Sequence, residues 1–357
     1  MSDQTKGPRI KAPAATEAIA MVKSPPAKDT SLFGRAKYEL QFLRGRGALE
    51  IGIVFVALQL IMVIYALIAP TKFPYLSSQN LSGVLTQDIP VLGILGIGVG
   101  VLMIAGEFDL SLGSALAFCA IMDIKVTNST NWVIGLLAAL AAGVLIALIN
   151  GLIVVYTKIP SFIATLGMGF FWAGGTIFLN GPIPTTMSEK AAPVQLFVGD
   201  FGFFRAQVLW LILIGVVSWF LLHRHKVGNH LYAVGGNINA AKAISINPTK
   251  VKLFAFGFYG LLVGFAGVLI AIRTLSMQPN STQDYTLLAV AAAVVGGVSL
   301  NGGRGSILGM VIGAALIKCI NDALILINAD GYYIQLFVGV IIVVASIINR
   351  KFEGSAR

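Results

Sequence analysis

The chain has 357 residues, 57% of them hydrophobic and 11% charged, with a formal net charge of +10 and a mean hydropathy of +0.86. One soluble core cannot hide that share of apolar side chains, so a soluble enzyme is excluded and a polytopic membrane protein is defined. The basic residues stand in short segments between apolar runs, which the membrane explains better than nucleic acid, and no nucleic-acid partner is expected.

Residues 1–48 are rich in Ala, Pro, Lys and Ser and hold no continuous apolar run, so they do not resemble a cleavable signal. A disordered, basic cytoplasmic tail is expected there, with Arg35, Lys37, Arg44 and Arg46 just before the first span. A spanning helix takes roughly 20 apolar residues. Ten segments approach that length: about 50–69, 81–105, 110–126, 131–156, 160–179, 207–222, 251–272, 285–299, 305–327 and 332–349. The eighth is short and rich in small residues, so a broken or tilted piece is expected, and counts of eight or nine stay open. The expected architecture is all-α, with about ten transmembrane helices over a membrane domain at 49–352, a short tail at 353–357 and both termini cytoplasmic. Lys and Arg support that orientation, since only Lys72, Lys125, Lys190, Arg205 and Arg273 fall outside.

Five spans on each side of a central loop imply any internal repeat to be inverted. A search for one returns only the Gly-Ser pairs at Gly113 and Gly305, which do not fit an inverted register. Glycines four apart, at Gly96/Gly100, Gly260/Gly264 and Gly309/Gly313, are expected to pack helices closely. No phosphate-binding loop, metal motif or cysteine cluster appears, so no cofactor is expected, and if the chain moves a solute uphill the energy must come from an ion gradient or another subunit. Acidic groups inside the predicted spans are few; Asp88 and Asp322 are expected as structural polar anchors rather than proton relays.

The central loop, 223–252, is the longest basic segment between apolar runs. Its middle is small and apolar at Ala240, Ala241, Ala243, Ile244 and Ile246, which a purely solvated loop does not require. Asn237 or Asn239 is a candidate cap for a two-turn helix that Pro248 limits at its far end.

Between the second and third spans stands Gly106-Glu107-Phe108-Asp109-Leu110-Ser111-Leu112-Gly113-Ser114, where Asp109 is expected to cap the next helix. Asp-Leu-Ser-x-Gly-Ser resembles a hallmark of the permease subunits of ribose-type, binding-protein-dependent ATP-binding-cassette (ABC) importers. Similar stretches follow in the family's order: Pro160 to Gly167, Gly235-Gly236-Asn237 with Ala240-Ala241 and Ile246-Asn247, and Leu288 to Gly313 with Gly302-Gly303-Arg304-Gly305-Ser306. The chain departs from the family at Ser245, where glycine is usual, at Pro248, and at Glu107-Phe108, where Gly-Ile is usual. The resemblance covers about 50–350 and leaves the N-terminal tail outside.

It implies a homodimer in the bacterial inner membrane, two cytoplasmic ATPase subunits and a periplasmic binding protein that delivers a monosaccharide. The permease itself is then no enzyme. Gly236, Asn237, Ala240, Ala241, Ser245 and Ile246 are the implied ATPase-docking residues, and bulky side chains at Ala240 or Ala241 are expected to block docking. Asp109, Ser111, Gly113, Gly303 and Gly305 are structural turn residues. Asn150, Thr165, Phe171, Trp172 and Thr176 are candidates for the substrate path, and the external segment 180–207 for binding-protein contact. Branched-chain amino acids or nucleosides as cargo, an ion-coupled secondary transporter, and a membrane scaffold or receptor are the competing readings.

Overall fold

The computed structural model describes residues 48–189 and 191–333 and scattered positions up to 347. The expected N-terminal tail up to residue 47, the tail at 353–357 and half of the predicted span 332–349 lie outside the described residues. The described chain is helical throughout its length. In order come α1 (Ala48–Ile68), α2 (Ser78–Ile104), α3 (Leu112–Ser129), α4 (Trp132–Thr157) and α5 (Ser161–Asn180). A short strand β1 (Thr185–Thr186) and α6 (Val194–Phe197) lead to α7 (Ala206–His223). Then follow α8 (Lys226–Gly236), α9 (Ile238–Ala243), α10 (Pro248–Thr274), β2 (Ser276–Met277), α11 (Asp284–Val295) and α12 (Ile307–Leu326).

Local chemistry sets the ends of these helices. Asn131 caps α4, its Oδ1 accepting from the amides of Val133 and Ile134 at 3.0 and 3.1 Å. Ser306 caps α12 through the Gly309 amide at 3.1 Å. Asn247 caps α10 through the Lys250 amide at 3.2 Å, and Pro248 takes the first helical position, where its missing N–H costs nothing. Proline here starts a helix. Inside α2, Pro90 removes a backbone donor, and a π-helical turn at Leu81–Leu85 lies just upstream.

Among the described residues, seven helices are long and apolar enough to cross a membrane: α1, α2, α4, α5, α7, α10 and α12. The predicted third span forms as α3, but Asp123, Lys125 and Asn128 make it more polar than the others. The eighth is α11, only 12 residues long. The all-α multi-pass class therefore stands, while the described residues do not complete a set of ten spans.

At the centre lie α2 and α10, each 27 residues long. They pack in opposite directions, as two ion pairs record. Near the start of α2, Asp88 meets Arg273 at the end of α10; just past the end of α2, Glu107 meets Lys252 at the start of α10. Each long helix is followed by a non-helical connection and a helix that starts again within the bundle. Residues 105–111 lead into α3, and 275–283 into α11. The two restarted helices meet: the Gly113 amide donates to Thr286 Oγ1 at 2.9 Å, and Thr282 Oγ1 donates to the Gly113 carbonyl at 2.7 Å. Both long helices are thus followed by a break and a restarted helix, of 18 residues in α3 and 12 in α11.

The glycine pairs let backbones touch. A Cβ on Gly260 would come within 2.6 Å of the Ala147 Cβ, and one on Gly264 within 2.7 Å of the Ala139 carbonyl, so α4 and α10 approach more closely than larger residues permit. From Pro90 to Ile104, α2 is buried throughout. By contrast α5 and α7 turn apolar side chains outward, Phe170 and Phe178 being 75% and 89% exposed. One end of the bundle holds the β1–β2 pair, Thr185 opposite Met277. At the other, the Gly303 amide donates to the Ile104 carbonyl at 2.9 Å.

Candidate coupling and translocation site

The 107–113 turn is pinned residue by residue from different helices. Glu107, 5% exposed, pairs with Lys252 of α10. The amides of Phe108 and Leu110 donate to Ser161 Oγ and Thr165 Oγ1 of α5 at 3.0 and 2.9 Å. Asp109 Oδ1 accepts from the amide and the hydroxyl of Ser111 at 2.7 and 2.6 Å. Its Oδ2 accepts from Asn150 Nδ2 of α4 at 3.0 Å. Gly113 is held by α11, where a Cβ would come within 2.7 Å of Gln283 Cα and the Thr282 carbonyl. Asp109 does not cap α3 as expected, because the capping position is taken by Ser111 without a side-chain cap; Asp109 instead closes the turn before it, inside the protein, with both carboxylate oxygens hydrogen-bonded. A buried carboxylate survives only in such company.

Two candidate path residues belong to this support. Asn150 and Thr165 are fully buried, and Asn150 also donates to Ser111 Oγ at 2.8 Å. Thr176 is buried, its hydroxyl donating to the Trp172 carbonyl at 2.7 Å. Trp172 is half-buried between Phe118 and Phe171 at ring distances of 5.8 and 5.1 Å, and Phe171 is 62% exposed. The turn glycines part company with Asp109: Gly303 sits on Ile104, and the Gly305 carbonyl accepts from Tyr232 of α8 at 2.7 Å.

The central loop folds as two helices, the second at the expected position but with a different stop. Asn237 Oδ1 caps α9, accepting from the amides of Asn239 and Ala240, both at 3.0 Å. The helix ends without Pro248. Ser245 takes a left-handed conformation, φ +62°, while the Ile246 amide returns to the Ala241 carbonyl and the Ser245 amide to the Lys242 carbonyl, both at 3.0 Å. This is a Schellman stop, normally the place of a glycine. Ala241 is 1% exposed and faces the permease itself, so it is not open to a partner. The outward face carries Ile238, Asn239, Ala240, Lys242 and Ala243, with Ile244 68% exposed beside them. Sequence reasoning missed α8 altogether, although His225 caps it through the Val227 amide at 3.3 Å.

The intramembrane acids act as anchors. Besides Arg273, Asp88 faces Lys318 at 3.9 Å, and Asp322 Oδ2 accepts from Asn80 Nδ2 at 2.9 Å.

The bundle of helices of spanning length, with two helices that restart inside it and a capped helix pair at one end, is that of a multi-pass membrane protein. The family described as the permease component of branched-chain amino acid transport systems matches residues 80–346. The ribose import permease protein of Escherichia coli (strain K12) is 33% identical over 299 residues, covering 82% of this chain and 92% of that protein. Its counterpart in Bacillus subtilis (strain 168) is 31% identical, covering 83% and 92%. The xylose transport system permease protein of Haemophilus influenzae is 29% identical, covering 85% and 96%. No solved structure matches the chain. The chain belongs to this family of transport-system permeases and is a multi-pass protein of the bacterial inner membrane.

Proposed function

We propose that the chain is the transmembrane subunit of an ATP-driven sugar importer, working as a homodimer with two cytoplasmic ATPase subunits and a periplasmic binding protein that delivers a monosaccharide. The observation that carries this reading is the match to ribose import permeases along four-fifths of the chain. Ten spans and cytoplasmic termini belong to the proposal, as do the tails at 1–48 and 353–357. ATP is hydrolysed on the partner subunits. The capped helix α9 enters a cleft on each ATPase through Gly236, Asn237, Ala240 and the exposed Ile244, while Ala241, Ser245 and Ile246 hold it in shape from behind. Segment 180–207 at the opposite end receives the binding protein.

The physical reason is leverage. A helix of six residues is unstable alone, so its shape is imposed by α8, α10 and its caps, and a force on it passes directly into α10. From there Lys252 and Glu107 lead to the Asp109 turn.

A second reading keeps the machine and changes the cargo to a branched-chain amino acid, which the family's description favours. ATP hydrolysis by the complex in lipid nanodiscs tests both. The sugar reading expects several-fold stimulation by the cognate binding protein loaded with a pentose. Stimulation only with leucine or valine supports the second, and no response to any loaded binding protein contradicts both.

A further inference from the structure

We propose that Gln278, Asn280, Ser281, Gln283 and Asp284, in the break between α10 and α11, form the hydrogen-bonding wall of a water-filled path for a neutral polyhydroxylated solute. The proposal deepens the sugar-importer reading and rests on it for the identity of the cargo. These five side chains are all exposed, whereas the intervening Pro279 and Thr282 are buried.

Their depth makes the exposure informative. With 12 residues, α11 rises about 18 Å, while the 27 residues of α10 span about 40 Å. From the strand pair at the end of the bundle, where Met277 lies opposite Thr185, the chain runs inward and by Thr282 and Gln283 has reached Gly113 at the start of α3. Two contacts fix the level. Tyr285 lies under Lys318 Nζ at 5.5 Å from the ring centre, and Lys318 is near the middle of α12, a helix of spanning length. On the other side Gln283 stands against Gly113, where α3 begins.

Non-helical backbone and exposed polar side chains at that depth are not tolerated against lipid tails. They occur where protein covers them or where they line water. The lipid-facing alternative has a clear appearance in this same chain: α7 turns Ile212, Leu213, Val216 and Val217 outward, and none of them is polar. The break does the opposite. It also holds its amides in place, since Gln283 Nε2 donates to Ser114 Oγ at 3.2 Å and lies 3.4 Å from Asn280 Oδ1.

The chemistry of the patch selects among solutes. Carboxamides, one hydroxyl and one carboxylate pair with sugar hydroxyls by donating and accepting hydrogen bonds. An amino acid would also need a cation for its carboxylate. The nearby Arg273 and Lys318 are committed to Asp88, and Lys318 is buried. A set of exposed hydrogen-bonding partners without a cation suits a polyhydroxylated cargo that must also leave.

Accessibility tests the placement without requiring transport. In a Cys119→Ala, Cys319→Ala background, Asn280→Cys and Gln283→Cys should react with a membrane-impermeant charged thiol reagent within tenfold of the rate at Thr130→Cys, in the exposed α3–α4 turn. Val217→Cys on α7 should react at least a hundredfold more slowly. If Asn280→Cys and Gln283→Cys are as slow as Val217→Cys in the membrane, yet react fully in SDS, the segment is dry and the proposal is overturned.

Ribose uptake in the reconstituted complex then tests the role. Asn280→Leu and Gln283→Leu should each lower it at least tenfold while the ATPase still copurifies, and unchanged uptake removes these residues from recognition. If the introduced cysteines react but the wild-type complex imports leucine and neither ribose nor xylose, the path stays in place and the sugar reading is refuted instead.

Discussion

At the scale of single residues, the account turns on Asp109 and Ser245. Asp109 satisfies three donors inside the protein, and stranding them costs roughly 1–3 kcal/mol for each group left unpaired. Asp109→Ala should lower the stability of the purified permease by on the order of 3 kcal/mol, read as a fall in thermal midpoint in detergent. An unchanged midpoint would show the turn to be held by its other contacts. Ser245 occupies a left-handed position that costs a non-glycine residue about 1 kcal/mol. Ser245→Gly should raise the midpoint slightly, with transport retained. Sequence comparison exposes Ser245 as a departure from the family, and the backbone explains why glycine is the usual choice. Ala241 carries the opposite lesson. Its smallness looks like room for a partner, but the space is filled by the permease's own packing. Ala241→Trp should therefore reduce folded protein, not merely uncouple it, as gel filtration of the expressed variant will show.

Among helices and connections, α9 and the α2–α10 pair bear the argument. Ile244→Asp places a charge on the exposed end of α9 without touching the core, so membrane insertion should persist while ATPase copurification falls at least fivefold. Full copurification would move the docking surface elsewhere. Glu107 and Lys252 are part-buried and joined, and separating such a pair strands a charge. Either reversal, Glu107→Lys or Lys252→Glu, should impair uptake, and the double reversal should recover part of it, with a coupling of about 0.5–3 kcal/mol. Additive losses would break the proposed link from α9 to the Asp109 turn.

Most of these helices were readable as apolar runs, because a spanning length and its flanking charges are one-dimensional signals. What was not readable depends on partners distant in sequence. The burial of Asn150 and Thr165 follows from a turn more than 35 residues away in the chain. The β1–β2 pair joins Thr185 to Met277 and has no local signature. Amphipathic α8 was hidden by its charges and glycines, which read as a connector.

For the whole molecule, the family and the multi-pass class emerged from motifs spread over the chain, whereas the antiparallel packing of α2 and α10 emerged only from the structure. The central claim is that this bundle, whose sequence carries no phosphate-binding loop motif, is driven through α9 by a separate ATPase. Accumulation of radiolabelled ribose in proteoliposomes containing the permease, its ATPase and the loaded binding protein tests it most directly. The account predicts uptake that requires both ATP and the ATPase and is indifferent to a proton gradient. Accumulation driven by a proton gradient in vesicles lacking the ATPase would contradict it.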